Sequence, residues 1–140
     1  MAAAPGITTR LIDGVRRVAG AIIGEPMVLP PSLVQRYPEL ARARWRRGGL
    51  PVRVGGWCLG QSSVAAITLW RTIWLASDVP TAPELLLHEL RHVDQFEADA
   101  TFPIRYLWES VTRGYVGNRF EVDARRYAAI RVNEQPGSNS

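Results

Sequence analysis

The chain is read as an α+β fold, and three observations carry that reading. Val64 to Leu75 is dense in β-branched and aromatic residues, the composition of strands. From Glu84 to about Glu97 the pattern turns helical, with Leu86, Leu90 and Val93 on one apolar line. A last helix starts near Asn118, whose side chain can cap it. With 140 residues and 46% apolar content, the chain suits one compact domain with a real core, and five tryptophans supply much of its bulk.

The elements follow in order. Residues 1–9 read as a loose tail. Leu11, Val15, Val18 and Ile22 then recur at helical spacing, with Arg16 and Arg17 off that line. Such a helix packs on the domain, or rests on an anionic membrane surface or a partner protein. Prolines from Pro26 to Pro31 break it, and Ser32 can cap a short helix through Leu33, Val34, Tyr37 and Leu40. Arg42 to Arg47 is a basic run around Trp45 that Gly48-Gly49 ends. RNA or phosphate binding is one reading of it; a solvated face over a tucked tryptophan is the commoner one. Val52, Val54 and Trp57 suggest a strand, and the glycines beside them lack a GxGxxG pattern and a Walker lysine. Residues 64–75 make one or two strands with a bend near Arg71.

Past the turn at Ser77–Pro83, Thr81 or Ala82 precedes a helix that Pro83 starts at its first position. Asp99 ends that helix. Ile104 to Val111 forms another, Gly114 interrupts, and Tyr115-Val116-Gly117 leads to the Asn118 cap. Glu121 stands where a capping-box glutamate would.

Composition narrows the function. The net charge of +4 favours solubility and weak attraction to acidic surfaces, but no nucleic-acid partner is expected from it. Cys58 is the sole cysteine, which excludes an internal disulfide and a Cys-rich zinc site. The apolar stretch Ala19–Gly24 is too short to span a bilayer. A cytoplasmic location is expected, with export as the alternative because Arg16-Arg17 precede that stretch.

The chemistry concentrates in His88-Glu89-Leu90-Arg91-His92, an HExxH motif that uses both histidines of the chain. Four residues are about one helical turn, so the two imidazoles share a face and can grip one metal ion, with Glu89 beside them as a general base toward water. A catalytic zinc wants three protein ligands. With no third histidine, the third should be a carboxylate. Glu121 is the choice, presented by a later helix; Glu97, Asp99, Glu109 and Asp123 compete. The plainer alternative for Glu121 is a capping box with Asn118 or a surface pair with Arg125. Tyr115 is the candidate donor to an oxyanion, with Tyr106 and Arg113 behind it. Asp94 or Asp99 could orient an imidazole, His92 before His88. Residues 1–31 are expected to be a tail and short helix, 32–134 a single metal-binding domain, and 135–140 a flexible tail.

The stretch from Glu84 to Phe96 resembles the zincin metallopeptidases, specifically compact gluzincin-like proteins, and a poorly characterised bacterial family of small HExxHxxQ domains. Asn118-Arg-Phe-Glu121-Val-Asp-Ala124 is similar to the glutamate helix that follows the motif in that family. The resemblance implies a zincin-like domain, a short sheet packed on the HExxH helix with a later glutamate-bearing helix. It implies Zn2+ held by His88, His92 and Glu121, with Glu89 as base. It also implies that the strands at 64–75 line the cleft and pair with an extended peptide. The chain has neither the NExxSD form of the thermolysin-like glutamate helix nor the HExxHxxGxxH of metzincins. The function so expected is a zinc-dependent metallopeptidase acting on a peptide or protein; the alternative is a non-catalytic zinc-bearing interaction domain.

Overall fold

The computed structural model describes residues 7–53 and 64–134. The strand-rich stretch becomes a tight hairpin, β3 (Ala66–Leu69) and β4 (Thr72–Leu75), paired antiparallel and turned at Trp70-Arg71. Trp70 takes the left-handed φ of 52° that the two-residue turn demands, and its ring stacks on Phe96 at 5.7 Å. β4 pairs parallel with β2 (Arg44–Arg47), and β2 pairs antiparallel with β1 (Glu25–Pro26). The order β1-β2-β4-β3 leaves β3 at one edge of a mixed four-stranded sheet.

β2 occupies the basic run Arg42–Arg47 in part, with Trp45 tucked beneath it as expected. Only Trp45 is buried there, its indole donating to the Leu40 carbonyl at 2.9 Å, while Arg44 is exposed and Arg46 and Arg47 are half-buried. Arg44 and Arg46 alternate with Trp45 as strand geometry requires, and the run of charges hid the strand. Arg47 donates to the carbonyls of Ala76 (3.0 Å) and Val79 (2.7 Å), tying down the loop that leads to the motif helix. The sheet thus reaches back to residue 25, ahead of the expected domain start at 32. Residues 50–53 are helical rather than the start of a strand; the rest of that expected strand, with Trp57 and Cys58, lies outside the described residues, as do residues 1–6 and 135–140.

Among the described residues, helix α1 (Ile7–Ile23) does not pack its apolar face on the domain. Leu11, Val15, Val18 and Ile22 are all exposed. Its end alone is fastened, where the Ile23 carbonyl accepts from Arg46 Nε (3.1 Å) and Trp74 Nε1 (2.8 Å). Gly24 follows at φ +72°, where a Cβ would meet the Gly48 carbonyl oxygen at 2.7 Å. Helix α2 (Pro31–Arg36) starts on Pro31 with no side-chain cap, so Ser32 is not its cap; a 3-10 turn over Pro38–Arg42 continues it.

Three helices complete the fold: α3 (Pro83–Ala98), α4 (Phe102–Gly117) and α5 (Arg119–Asn133). Ala82 is the N-cap of α3 and Pro83 its first residue. Leu86, Leu87, Leu90 and Val93 are wholly buried and join Trp45, Ala66, Ile73 and Leu75 of the sheet with Tyr37 and Leu40 in one core. The α+β reading therefore holds, with the motif helix between the sheet and α5. No helix among the described residues is long and apolar enough to cross a membrane.

Glu39 and Arg131 bind the 3-10 turn to α5 at 2.6 Å, and the Arg131 guanidinium also lies over the Tyr37 ring at 5.2 Å. Burial acts to raise the Glu39 pKa, but the Arg131 hydrogen bond and charge hold it below the ordinary value. A carboxyl lowered in the fold contributes stability above its unfolded pKa and loses that contribution as pH falls through its folded one. Glu39→Gln should cost about 1 kcal/mol at neutral pH, and the gap to the parent should narrow in acid, as pH falls through the carboxyl's lowered pKa. Urea unfolding at neutral and acid pH measures this.

Candidate metal centre

Helical spacing puts His88 and His92 on one face of α3, with ring centroids 4.9 Å apart and Nε2 atoms 3.2 Å apart. The opposite face is the buried leucine line. α5 crosses this helix on Ala124 and Ala128, both buried, and these small side chains let the two backbones come close. Glu121 lies one turn earlier on the same side of α5 and reaches the imidazoles. Its Oε2 is 3.0 Å from His88 Nε2 and its Oε1 is 3.2 Å from His92 Nε2.

Glu121 does not close a capping box. Asn118 caps α5, accepting from the Phe120 amide at 2.9 Å and donating to the Tyr106 carbonyl and Ser110 hydroxyl, and the Arg119 amide donates to Glu109 Oε2 at 3.4 Å. The Tyr106 hydroxyl donates to Glu121 Oε1 at 2.6 Å. Burial alone would raise the Glu121 pKa, yet the two imidazoles and Tyr106 hold the carboxyl far below its ordinary range. Burial likewise acts to lower His92, and Glu121 with Glu89 raises it on balance. Oε2 of Glu121 is buried and makes no hydrogen bond, although His88 Nε2 is near.

These atoms fit a divalent cation. Donor atoms around a tetrahedral zinc with bonds of about 2.0–2.1 Å stand roughly 3.3 Å apart. Here the two Nε2 atoms stand 3.2 Å apart, one Glu121 oxygen (Oε2) is 3.0 Å from His88 Nε2 and the other (Oε1) is 3.2 Å from His92 Nε2, and Oε2 is buried without a hydrogen bond. The donor atoms of His88, Glu89 and His92 also lie within 4.8 Å of one another and could themselves hold a divalent ion such as Zn2+. Glu89, however, is engaged elsewhere: its Oε2 accepts from the Thr68 hydroxyl of the edge strand at 2.6 Å. Glu121 is the carboxylate aimed at both imidazoles.

The competing carboxylates are drawn into other contacts. Glu97 pairs with Arg71 at 3.1 Å. Asp99 caps Thr101 and pairs with Arg105, and the Thr101 hydroxyl and amide lead in lowering its pKa to about 2. Glu109 is buried between Arg113 and Arg119, and Asp123 is held by Arg91 at 2.7 Å. Arg113, bound to Glu109, is thereby turned from the expected oxyanion role. Asp94 pairs with Arg42, so neither Asp94 nor Asp99 orients an imidazole. Gln95 does so instead. Its Oε1 meets His92 Nδ1 at 2.7 Å, and its Nε2 donates to Asp123 Oδ2 and the Phe120 carbonyl, both at 3.0 Å. The i+3 spacing of Gln95 from His92 was the available signal; Thr68 had none.

Tyr115 stands where α4 breaks. Gly114 adopts φ 70°, ψ 168° inside that helix, and Tyr115 then faces a cleft with two lobes. One cavity, of about 640 Å³, runs past Asp78, Glu84, His88 and Arg125; the other, of about 320 Å³, is walled by Ile67, Leu69, Phe96, Pro103 and Leu107. Val64, Ala66, Glu89 and Tyr115 line both. Burial first, and then the Glu121 charge, pushes the Tyr115 hydroxyl pKa well above its ordinary value, so it stays a donor.

Comparison with protein-family models, curated proteins and solved structures finds no match to this chain. The HExxH cluster itself, arranged for metal ligation as in a zincin-like site, is the ground for any functional reading.

Gln95→Leu should weaken zinc binding by about 10- to 100-fold while leaving the circular dichroism spectrum unchanged. Competition with a chromophoric chelator reads the affinity. Parental affinity in the variant would remove Gln95 from the support of the site.

Proposed function

We propose that the protein is a zinc-dependent metallopeptidase of the compact gluzincin-like kind, with His88, His92 and Glu121 as the metal-holding residues. The observation that carries this reading is the convergence of two imidazoles and one buried carboxylate from a second helix, with Glu89 held next to them at an open cleft. When bound, zinc supplies Lewis acidity toward a carbonyl and lowers the pKa of water.

The chain's own residues supply the rest. Glu89, steadied by Thr68, takes a proton from water as the water oxygen adds to the peptide carbonyl carbon. Tyr115 donates a hydrogen bond to the oxygen that gains the charge. Glu89 then passes its proton to the amine as the C–N bond breaks, and is returned to its starting state. Among the described residues β3 pairs only with β4, so its other edge can add an extended peptide as a further strand. The apolar walls of the smaller lobe suit a large aliphatic or aromatic side chain of that peptide.

Glu89→Gln tests the assignment with fluorogenic peptides spanning many sequences. Hydrolysis should fall at least about 100-fold with zinc content unchanged, and Tyr115→Phe should lower kcat about 10- to 100-fold with little change in KM. Undiminished hydrolysis in Glu89→Gln would contradict the role of Glu89. A zinc-loaded parent that cleaves no peptide would favour the non-catalytic interaction domain.

A further inference from the structure

We propose that α1 lies on the surface of an anionic lipid bilayer, with its apolar face at the boundary between headgroups and acyl chains. Leu11, Val15, Val18 and Ile22 are 64%, 68%, 60% and 47% exposed, so nothing among the described residues covers them. At about 100° per residue these four fall within an arc of roughly 60°. Such a stripe on a 17-residue helix is the geometry of one that lies in an interface rather than one that crosses it.

The charges choose the partner. On the same wheel Arg10 and Arg16 flank the stripe, about 110° and 130° from its centre on opposite sides, with Arg17 beyond Arg10. Arginine stems at such borders lie along the apolar surface while their heads reach phosphates. The one acidic residue of the helix, Asp13, sits about 170° away and faces off the surface. None of the three arginines forms an ion pair with a described residue, in contrast to Arg105 and Arg113 of α4, which are paired with Asp99 and Glu109. A second copy fits poorly: two α1 stripes packed together would bring unpaired arginines against each other. The whole chain carries +4, which draws it to an anionic surface. Ile23, bonded to Arg46 and Trp74, would carry the sheet along with the helix.

The test is co-sedimentation of the full chain with vesicles of phosphatidylglycerol and phosphatidylcholine, and of phosphatidylcholine alone, in about 0.1 M salt. Binding to the anionic vesicles should be at least about tenfold tighter. Leu11→Glu with Val18→Glu should abolish it without changing helicity or zinc content, since α1 touches neither the core nor the metal centre. Neutralising Arg10, Arg16 and Arg17 with glutamine should erase the difference between the two vesicles. Failure to bind anionic vesicles, equal binding to both, or binding unaffected by the glutamate pair would overturn the proposal. So would a dimer in light scattering that the glutamate pair dissolves, because the stripe would then belong to a second copy.

Discussion

The structure depends on how closely α3 and α5 approach. A buried ionised carboxylate is costly unless charge or metal meets it, and Glu121 is almost wholly buried. Ala124 and Ala128 remove the side-chain bulk that would hold the helices apart, and Glu121 then spans to both imidazoles. The surrounding contacts keep that approach in register: Tyr106 on one oxygen of Glu121, Gln95 on the far nitrogen of His92, and the Arg91–Asp123 pair bridging the same two helices. Phe102 and the Tyr106 ring pack against His92 and limit access to it from that side. These contacts serve the orientation of the His88, His92 and Glu121 side chains.

The sheet has a second role. Its buried face forms the core with the leucines of α3, while its edge strand offers Thr68 to Glu89. The general-base candidate is therefore positioned from the sheet and the imidazoles from the helix, so the cleft lies where the two meet. Tyr115 reaches it because Gly114 lets α4 break where a residue with a side chain would be strained. The cleft lobes differ in character, one bordered by Asp78, Glu84, His88 and Arg125 and the other walled by apolar side chains.

Much of this was legible in the residues, and the remainder was hidden for physical reasons. The α3 and α5 helices, the 66–75 hairpin, the Gly114 break and the Asn118 cap each carry a local signal of period, turn chemistry or capping. β1 and β2 did not, because two residues ending in proline and four residues with three arginines lack the composition of strands; their pairing comes from neighbours far along the chain. The identity of the group that orients His92 was likewise tertiary: Asp94 is nearer in sequence than Gln95, but Arg42 claims it, as Arg105 and Thr101 claim Asp99. Local pattern revealed that α1 is amphipathic, while only the fold revealed that its apolar face is left uncovered.

The central claim is that three side chains from two helices hold one divalent ion. Elemental analysis of the untagged protein, purified without added metal and compared with Glu121→Ala, tests it most directly. About one zinc per chain in the parent, lost or greatly weakened in the variant, is the predicted result. Zinc retained at parental affinity by Glu121→Ala, or no zinc in the parent even after a zinc challenge, would contradict it.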